Sequence, residues 1–200
     1  MFFDDYSKTG KVYHIAPIND LERILSDGIK YNDKITYEYK YYNFHCFIDS
    51  LKPGYIPAWV KRKEAIFATK NYRREPNFCS HSVVTAFKVD PFKCWIADEN
   101  RANQIYEPFV LQEVNLLKEA EEYMKTEGKK MIGEYWRTSL SFEENLRRRM
   151  DLKEGYDAEV LVFHDVEPEN IEILYIVSDH RVMEFDEWKK VFCKKRRNIL

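Results

Sequence analysis

The chain has 200 residues, a length for one domain that buries a core without disulfides. Hydrophobic residues make up 44% and charged residues 33%, with a formal net charge of −2, so bulk charge does not demand a nucleic-acid partner. No apolar run reaches the roughly 18 residues of a membrane-spanning helix, which excludes that class.

In chain order, Lys11–Ala16 is rich in β-branched and aromatic residues and predicts a strand, closed by Pro17. Asn19 with Glu22 three residues on has the capping-box pattern. Leu21, Ile24 and Leu25 then share a helical face, and Gly28 stands where a left-handed cap belongs. Tyr37–Tyr42 fits a strand or an aromatic loop, and Pro53, Gly54 and Pro57 predict irregular backbone. Glu64–Thr69 predicts the next strand, Asn71–Ser80 a loop, and Ser82–Val89 and Lys93–Ala97 two further strands. From Pro108 to Arg149 the period turns helical, with Leu111, Val114 and Leu117 or Lys118 at helix spacing and a break at Gly128. A second helix is predicted from Ser141 or Phe142 to Met150, with Ser141 and Glu144 as its capping box. Asp157–Phe163 and Ile171–Val177 read as closing strands around a turn at Glu167-Pro168, and Phe185–Arg197 as a terminal helix. This order predicts a single α+β domain over residues 1–200 with a mixed sheet and flanking helices, a helical insertion at 108–150 and a basic C-terminal helix at 185–200.

Cys46, Cys79, Cys94 and Cys193 form no C-x-x-C pair and no ligand spacing with the five histidines, so no metal is expected. A reducing, cytoplasmic compartment is the simplest expectation, and the acidic Met1-Phe2-Phe3-Asp4-Asp5 does not resemble a signal peptide. Arg147-Arg148-Arg149 and the basic tail with Trp188 and Phe192 suit either a phosphate backbone or solvated helix ends. Aromatic residues, at 16%, suit a core first and stacking surfaces second.

Two segments each set a polar side chain among apolar neighbours. They are Tyr13-His14-Ile15-Ala16-Pro17 with Asn19, Leu21, Ile24 and Gly28, and Asp157-Ala158-Glu159-Val160-Leu161-Val162 with Val166, Pro168 and Ile171. A buried carboxylate costs free energy unless it is paired or put to chemical use. Together with Trp95-Ile96-Ala97-Asp98-Glu99-Asn100, these segments resemble the ADP-ribosyltransferase fold, and most nearly the DarT-type DNA ADP-ribosyltransferase toxins. The resemblance implies a split mixed sheet and NAD as the substrate, with no metal. It implies transfer of ADP-ribose to an acceptor such as single-stranded DNA or RNA, and a neutralising antitoxin protein as partner.

By the same resemblance Glu159 is the catalytic carboxylate. His14, with Ile15, Ala16 and Asn19, lies on the NAD-binding strand and turn, Phe67 is the ring that stacks on nicotinamide, and Asn100 is a further polar contact. Arg62 before the second strand matches the family's essential arginine, with Arg73 and Arg74 as alternatives, and Arg147, Arg148 and Arg149 are candidates for nucleic acid. Each also has a plain structural reading: Glu159 at a strand end facing water or paired with an arginine, His14 satisfied by a carbonyl, Phe67 in the core, Arg62 in solvent. Ala16 departs from the family's usual Thr, and Tyr31–Tyr55 shows no family pattern, which leaves the acceptor open. The alternatives are a catalytically silent nucleic-acid-binding module of the same fold and an RNA 2′-phosphotransferase.

Overall fold

Lys11–Pro17, with its β-branched and aromatic residues, forms a strand, β1, paired along its whole length with a neighbour. It is seen in a computed structural model that describes residues 4–32, 39–71, 81–112, 118–178 and 181–192. The chain divides into two compact units, each discontinuous in sequence: residues 1–30, 68–89 and 165–200, and residues 31–67 and 90–164. The expected α+β class is what the structure has. The strand pairings described within each unit are antiparallel, where a mixed sheet was expected.

In the first unit β1 lies between the end of β2 (Ile66–Thr69) and β3 (Ser82–Lys88), and β3 pairs in turn with β7 (Ile171–Ser178). The register runs from Lys11↔Lys88 to Pro17↔Ser82, with His14 opposite Thr85. β8 (Arg181–Glu184), which the sequence pattern did not show, pairs with β7 and leads into the helix Phe185–Phe192. The basic residues beyond 192 lie outside the described residues. A short helix, α1 (Tyr6–Thr9), is N-capped by Asp5, whose side chain accepts the Ser7 N–H at 2.9 Å.

The turn after β1 corrects two expectations. Ile18–Asp20 forms a 3-10 turn ahead of α2 (Leu21–Asp27), so the exposed Asn19 is not its cap, and no side chain caps α2. Leu21 and Ile24 are buried with Ala16, Val83 and Ile176, whereas Leu25 is half exposed. Gly28 ends the helix with φ +78°, and a Cβ there would stand 2.1 Å from the Val166 carbonyl oxygen. Glycine is required by both conformation and close approach, and Ile29 and Val166 exchange hydrogen bonds beside it.

In the second unit β4 (Cys94–Asp98) lies between β5 (Leu140–Ser141) and β6 (Ala158–Val162), with Ala97 opposite Glu159. The tyrosine-rich tract is neither strand nor loop where it is described. Tyr39–Ser50 is a helix, α3, burying Phe44 and Ile48 one turn apart. Residues 33–38 and the expected loop 72–80 lie outside the described residues, and so do Arg73 and Arg74.

The helical region starts earlier than the sequence period suggested. α4 (Glu99–Gln112) is N-capped by Asp98 and runs through Pro108. α5 (Lys118–Tyr123) continues through a π-helical turn, Met124–Gly128, into α6 (Lys129–Thr138). Gly128 keeps right-handed helical backbone, φ −56°, so it does not break the helix. α7 (Phe142–Arg148) has the expected cap, Ser141 accepting the Glu144 N–H at 3.1 Å. Ile132, Tyr135 and Trp136 pack into a core with Phe44, Ile48, Val60, Trp95, Ile105 and Leu161. Among the described residues no helix is long and apolar enough to cross a membrane.

Candidate functional site

Arg62 begins the 3-10 turn Arg62–Glu64 just ahead of β2, and its side chain is buried in the second unit. A buried guanidinium has five donors and no water to receive them, so its surroundings must. Nε donates to His45 Nδ1 at 3.0 Å. Nη1 donates to Tyr135 Oη at 2.7 Å and to Glu159 Oε1. The guanidinium carbon lies 4.8 Å from the centre of the Phe67 ring and 5.3 Å from that of Tyr135, a cation between two aromatic faces.

Glu159 supplies the counter-charge. It sits on β6 at 4% exposure among Val160, Leu161 and Val162, and its Oε1 also accepts the Tyr135 hydroxyl at 2.9 Å. Both bonds fall on Oε1, and no described residue donates to Oε2. Burial, before any charge, pushes the Tyr135 phenol well up; Arg62 pulls it down and Glu159 raises it further. Tyr135 therefore stays protonated and keeps donating.

Helix α3 fixes the arginine from the other side. His45 and Asp49 are one turn apart and share a face. His45 takes the side chain, while Asp49 Oδ1 accepts the Arg62 backbone N–H at 2.8 Å and Oδ2 that of Lys63 at 3.1 Å. Burial raises Asp49 above its ordinary value, against the lowering effect of these two bonds and the Arg62 charge. The His45 ring stacks on Phe67, centroids 5.0 Å apart and 29° between planes. α6 contributes Tyr135, and its neighbour Trp136 is tied to α3 by an indole N–H bond to the Ile48 carbonyl at 3.0 Å.

A second carboxylate stands nearby. The Glu99 N–H donates to the Asp157 carbonyl at 2.7 Å, extending the β4–β6 ladder one pair beyond Asp98↔Ala158. Glu99 is an exposed residue whose carboxyl is nonetheless held above its ordinary value. The causes are partial loss of water, then the charges of Glu159 and Asp157, against Arg62 and an Asn103 bond. Asp98 is buried, accepts the Asp157 N–H at 3.2 Å, and is raised mainly by that burial.

Of the residues singled out by sequence, Glu159, Arg62 and Phe67 come together here, and Arg62 is buried rather than solvated. Asn100 is in the first turn of α4, where its backbone N–H bonds Asp98. His14, Ile15, Ala16 and Asn19 belong to the first unit. His14 is half-buried, its carbonyl accepts from Thr85 Oγ1 at 3.1 Å, and its ring lies 6.4 Å from that of Phe87. Ile15 is 36% exposed and Ala16 is in the core.

Arg147 and Arg148 are exposed on α7 and both engage Glu144, Arg147 at 2.6 Å and Arg148 at 3.8 Å. Arg149 turns away, with φ +53° and two bonds to Asp151 at 3.0 and 3.1 Å, so the triplet is not one continuous patch. Sequence reading missed His45, Asp49 and Tyr135. The signals for them were the four-residue spacing of His45 and Asp49, and the helical spacing of Ile132, Tyr135 and Trp136. Among the described residues no group of three His, Cys, Asp or Glu side chains is arranged to hold a metal ion. No protein-family model, curated protein or solved structure matches the chain.

Proposed function

We propose that this protein is an NAD-dependent ADP-ribosyltransferase acting on a nucleic-acid acceptor, with Glu159 as its catalytic carboxylate and Arg62 as the cation that holds it. The observation that carries this reading is the direct contact of Arg62 with Glu159, 97 positions apart in sequence. These are the two residues that the resemblance to the DarT-type enzymes marks as catalytic, and nothing local in the sequence joins them.

The chemistry suits the group. Breaking the nicotinamide–ribose bond sends its electron pair to nicotinamide and builds positive charge at the ribose carbon. A fixed carboxylate in a water-poor site stabilises that charge. The acceptor's lone pair then closes on the same carbon, and the acceptor's proton passes to a carboxylate oxygen. With Oε1 held by Arg62 and Tyr135, Oε2 is the oxygen left for substrate. Phe67, half-buried against Arg62 and His45, offers a ring for nicotinamide.

The test is nicotinamide release from NAD, with single-stranded DNA and RNA as acceptors, by wild type, Glu159→Gln and Arg62→Lys. NAD at about 100 times its dissociation constant adds about 2.7 kcal/mol to stability, which a thermal shift reads independently. Release by wild type and its loss in both variants is the expected result. No shift and no release at millimolar NAD overturns the proposal, and salt-dependent binding of DNA or RNA without NAD turnover favours the silent binding module.

A further inference from the structure

An arginine side chain only donates hydrogen bonds, so the atom that receives the Arg62 Nε–H must carry a free lone pair. That atom is His45 Nδ1, 3.0 Å away, on a histidine only 5% exposed. With Nδ1 as acceptor, the single proton of the neutral ring sits on Nε2. A second proton, on Nδ1, would remove the acceptor and set a cation against a cation in a buried space.

We infer that His45 is the positioning residue of Arg62, working only as the neutral ring protonated on Nε2, and that its protonation releases Arg62 from Glu159. Several groups face it. Arg62 comes from the turn before β2, Phe67 from β2, and Phe44 from its own helix, with ring centroids 5.5 Å apart. Asp49 stands one turn further along α3, and Glu159 of β6 and Tyr135 of α6 lie across the guanidinium. Asp49 accepts the backbone N–H groups of Arg62 and Lys63, whereas His45 receives the guanidinium itself from the α3 side. The site would then be shut off by acid through His45. The tautomer stands on geometry alone, whereas its consequence for turnover rests on the transferase reading.

The experiment is nitrogen-15 NMR of the histidine rings and of the Arg62 Nε–H in the full chain, titrated from pH 8 through the ordinary imidazole range near about 6.5 and below. Wild type, His45→Asn and His45→Leu are compared, with nicotinamide release measured in parallel. Asn offers an Oδ1 close to where Nδ1 stood and does not titrate. The expected result is an unprotonated Nδ1 and a protonated Nε2 on His45, with the Arg62 Nε–H signal and turnover fading together on the acid side. His45→Asn retains both and loses the acid dependence. His45→Leu lowers kcat by about 10- to 100-fold, the cost found when a group that orients a metal ligand is removed, taken here as the scale for a positioning contact.

A proton on Nδ1 instead of Nε2, or an Arg62 signal that His45→Leu leaves unchanged, overturns the inference. The predicted tautomer in a protein that neither binds nor cleaves NAD overturns the transferase reading and leaves the positioning role standing.

Discussion

Replacing Glu159 by Gln tests the energetics of the site most directly. The two side chains of the pair are each 5% exposed, so the substitution leaves the Arg62 guanidinium buried without its counter-charge. Removing one partner of a buried pair costs about 3–5 kcal/mol. Gln keeps an oxygen for Tyr135 and Arg62, so the lower end, about 3 kcal/mol, is expected. For a chain of 200 residues that is a fall in Tm of about 6–12 °C. The loss leaves a folded protein if wild type has the usual stability of about 5–15 kcal/mol.

Urea denaturation of wild type, Glu159→Gln, Arg62→Met and the double variant measures it. Removing the stranded cation should recover part of the loss, so the double variant should be more stable than the sum of the singles predicts, by about 2 kcal/mol. A Glu159→Gln cost below about 1 kcal/mol, the range of an exposed pair, would refute the buried-pair reasoning. So would strict additivity.

Two further predictions concern the first unit. Gly28→Ala should cost about 2–4 kcal/mol, because the new Cβ meets the Val166 carbonyl oxygen at 2.1 Å and the backbone is at φ +78°; a urea midpoint indistinguishable from wild type would contradict this, and faster hydrogen exchange at Ile29 and Val166 would localise the damage. Asp5 is partly buried, which works to raise it, but hydrogen bonds from Ser7 and Asn71 and the charge of the buried Lys70 hold it well below its ordinary 3.8. A depressed carboxylate stabilises the fold above that ordinary value and loses the contribution as pH falls below it, so wild type should lose stability from about pH 4 downward more steeply than Asp5→Asn; parallel pH–stability curves for the two would count against it.

Much of the secondary structure could be read from single segments. The strand patterns at Lys11, Ser82 and Ile171, the cap at Ser141, and a strand carrying Glu159 among apolar residues all appear in the structure. Each is set by neighbours within a few residues, through the backbone preference of β-branched and aromatic residues and, at Ser141, through the cap. The tyrosine tract is the contrary case. Aromatic residues favour strands by propensity, yet Tyr39–Ser50 is helical because Phe44 and Ile48 bury one face against Phe109, Ile132 and Trp136. The capping box at Asn19 gave way to a 3-10 turn tied by the Ile18 N–H to the His81 carbonyl at 2.7 Å, a contact 63 positions away.

The site divides in the same way. Glu159 as an acid needing a partner was legible in the sequence, because a carboxylate inside an apolar strand is costly wherever it lands. Which cation would meet it was not. Lys or Arg at a segment end reads as solvated until long-range packing takes its water away, and Arg62 became the partner only through α3, β6 and α6. By itself the sequence determined the local elements and the need for a counter-charge. The tertiary structure alone decided which charges, His45 and Tyr135 among their neighbours, were brought out of water together, since burial is a property of the packed chain and not of any segment.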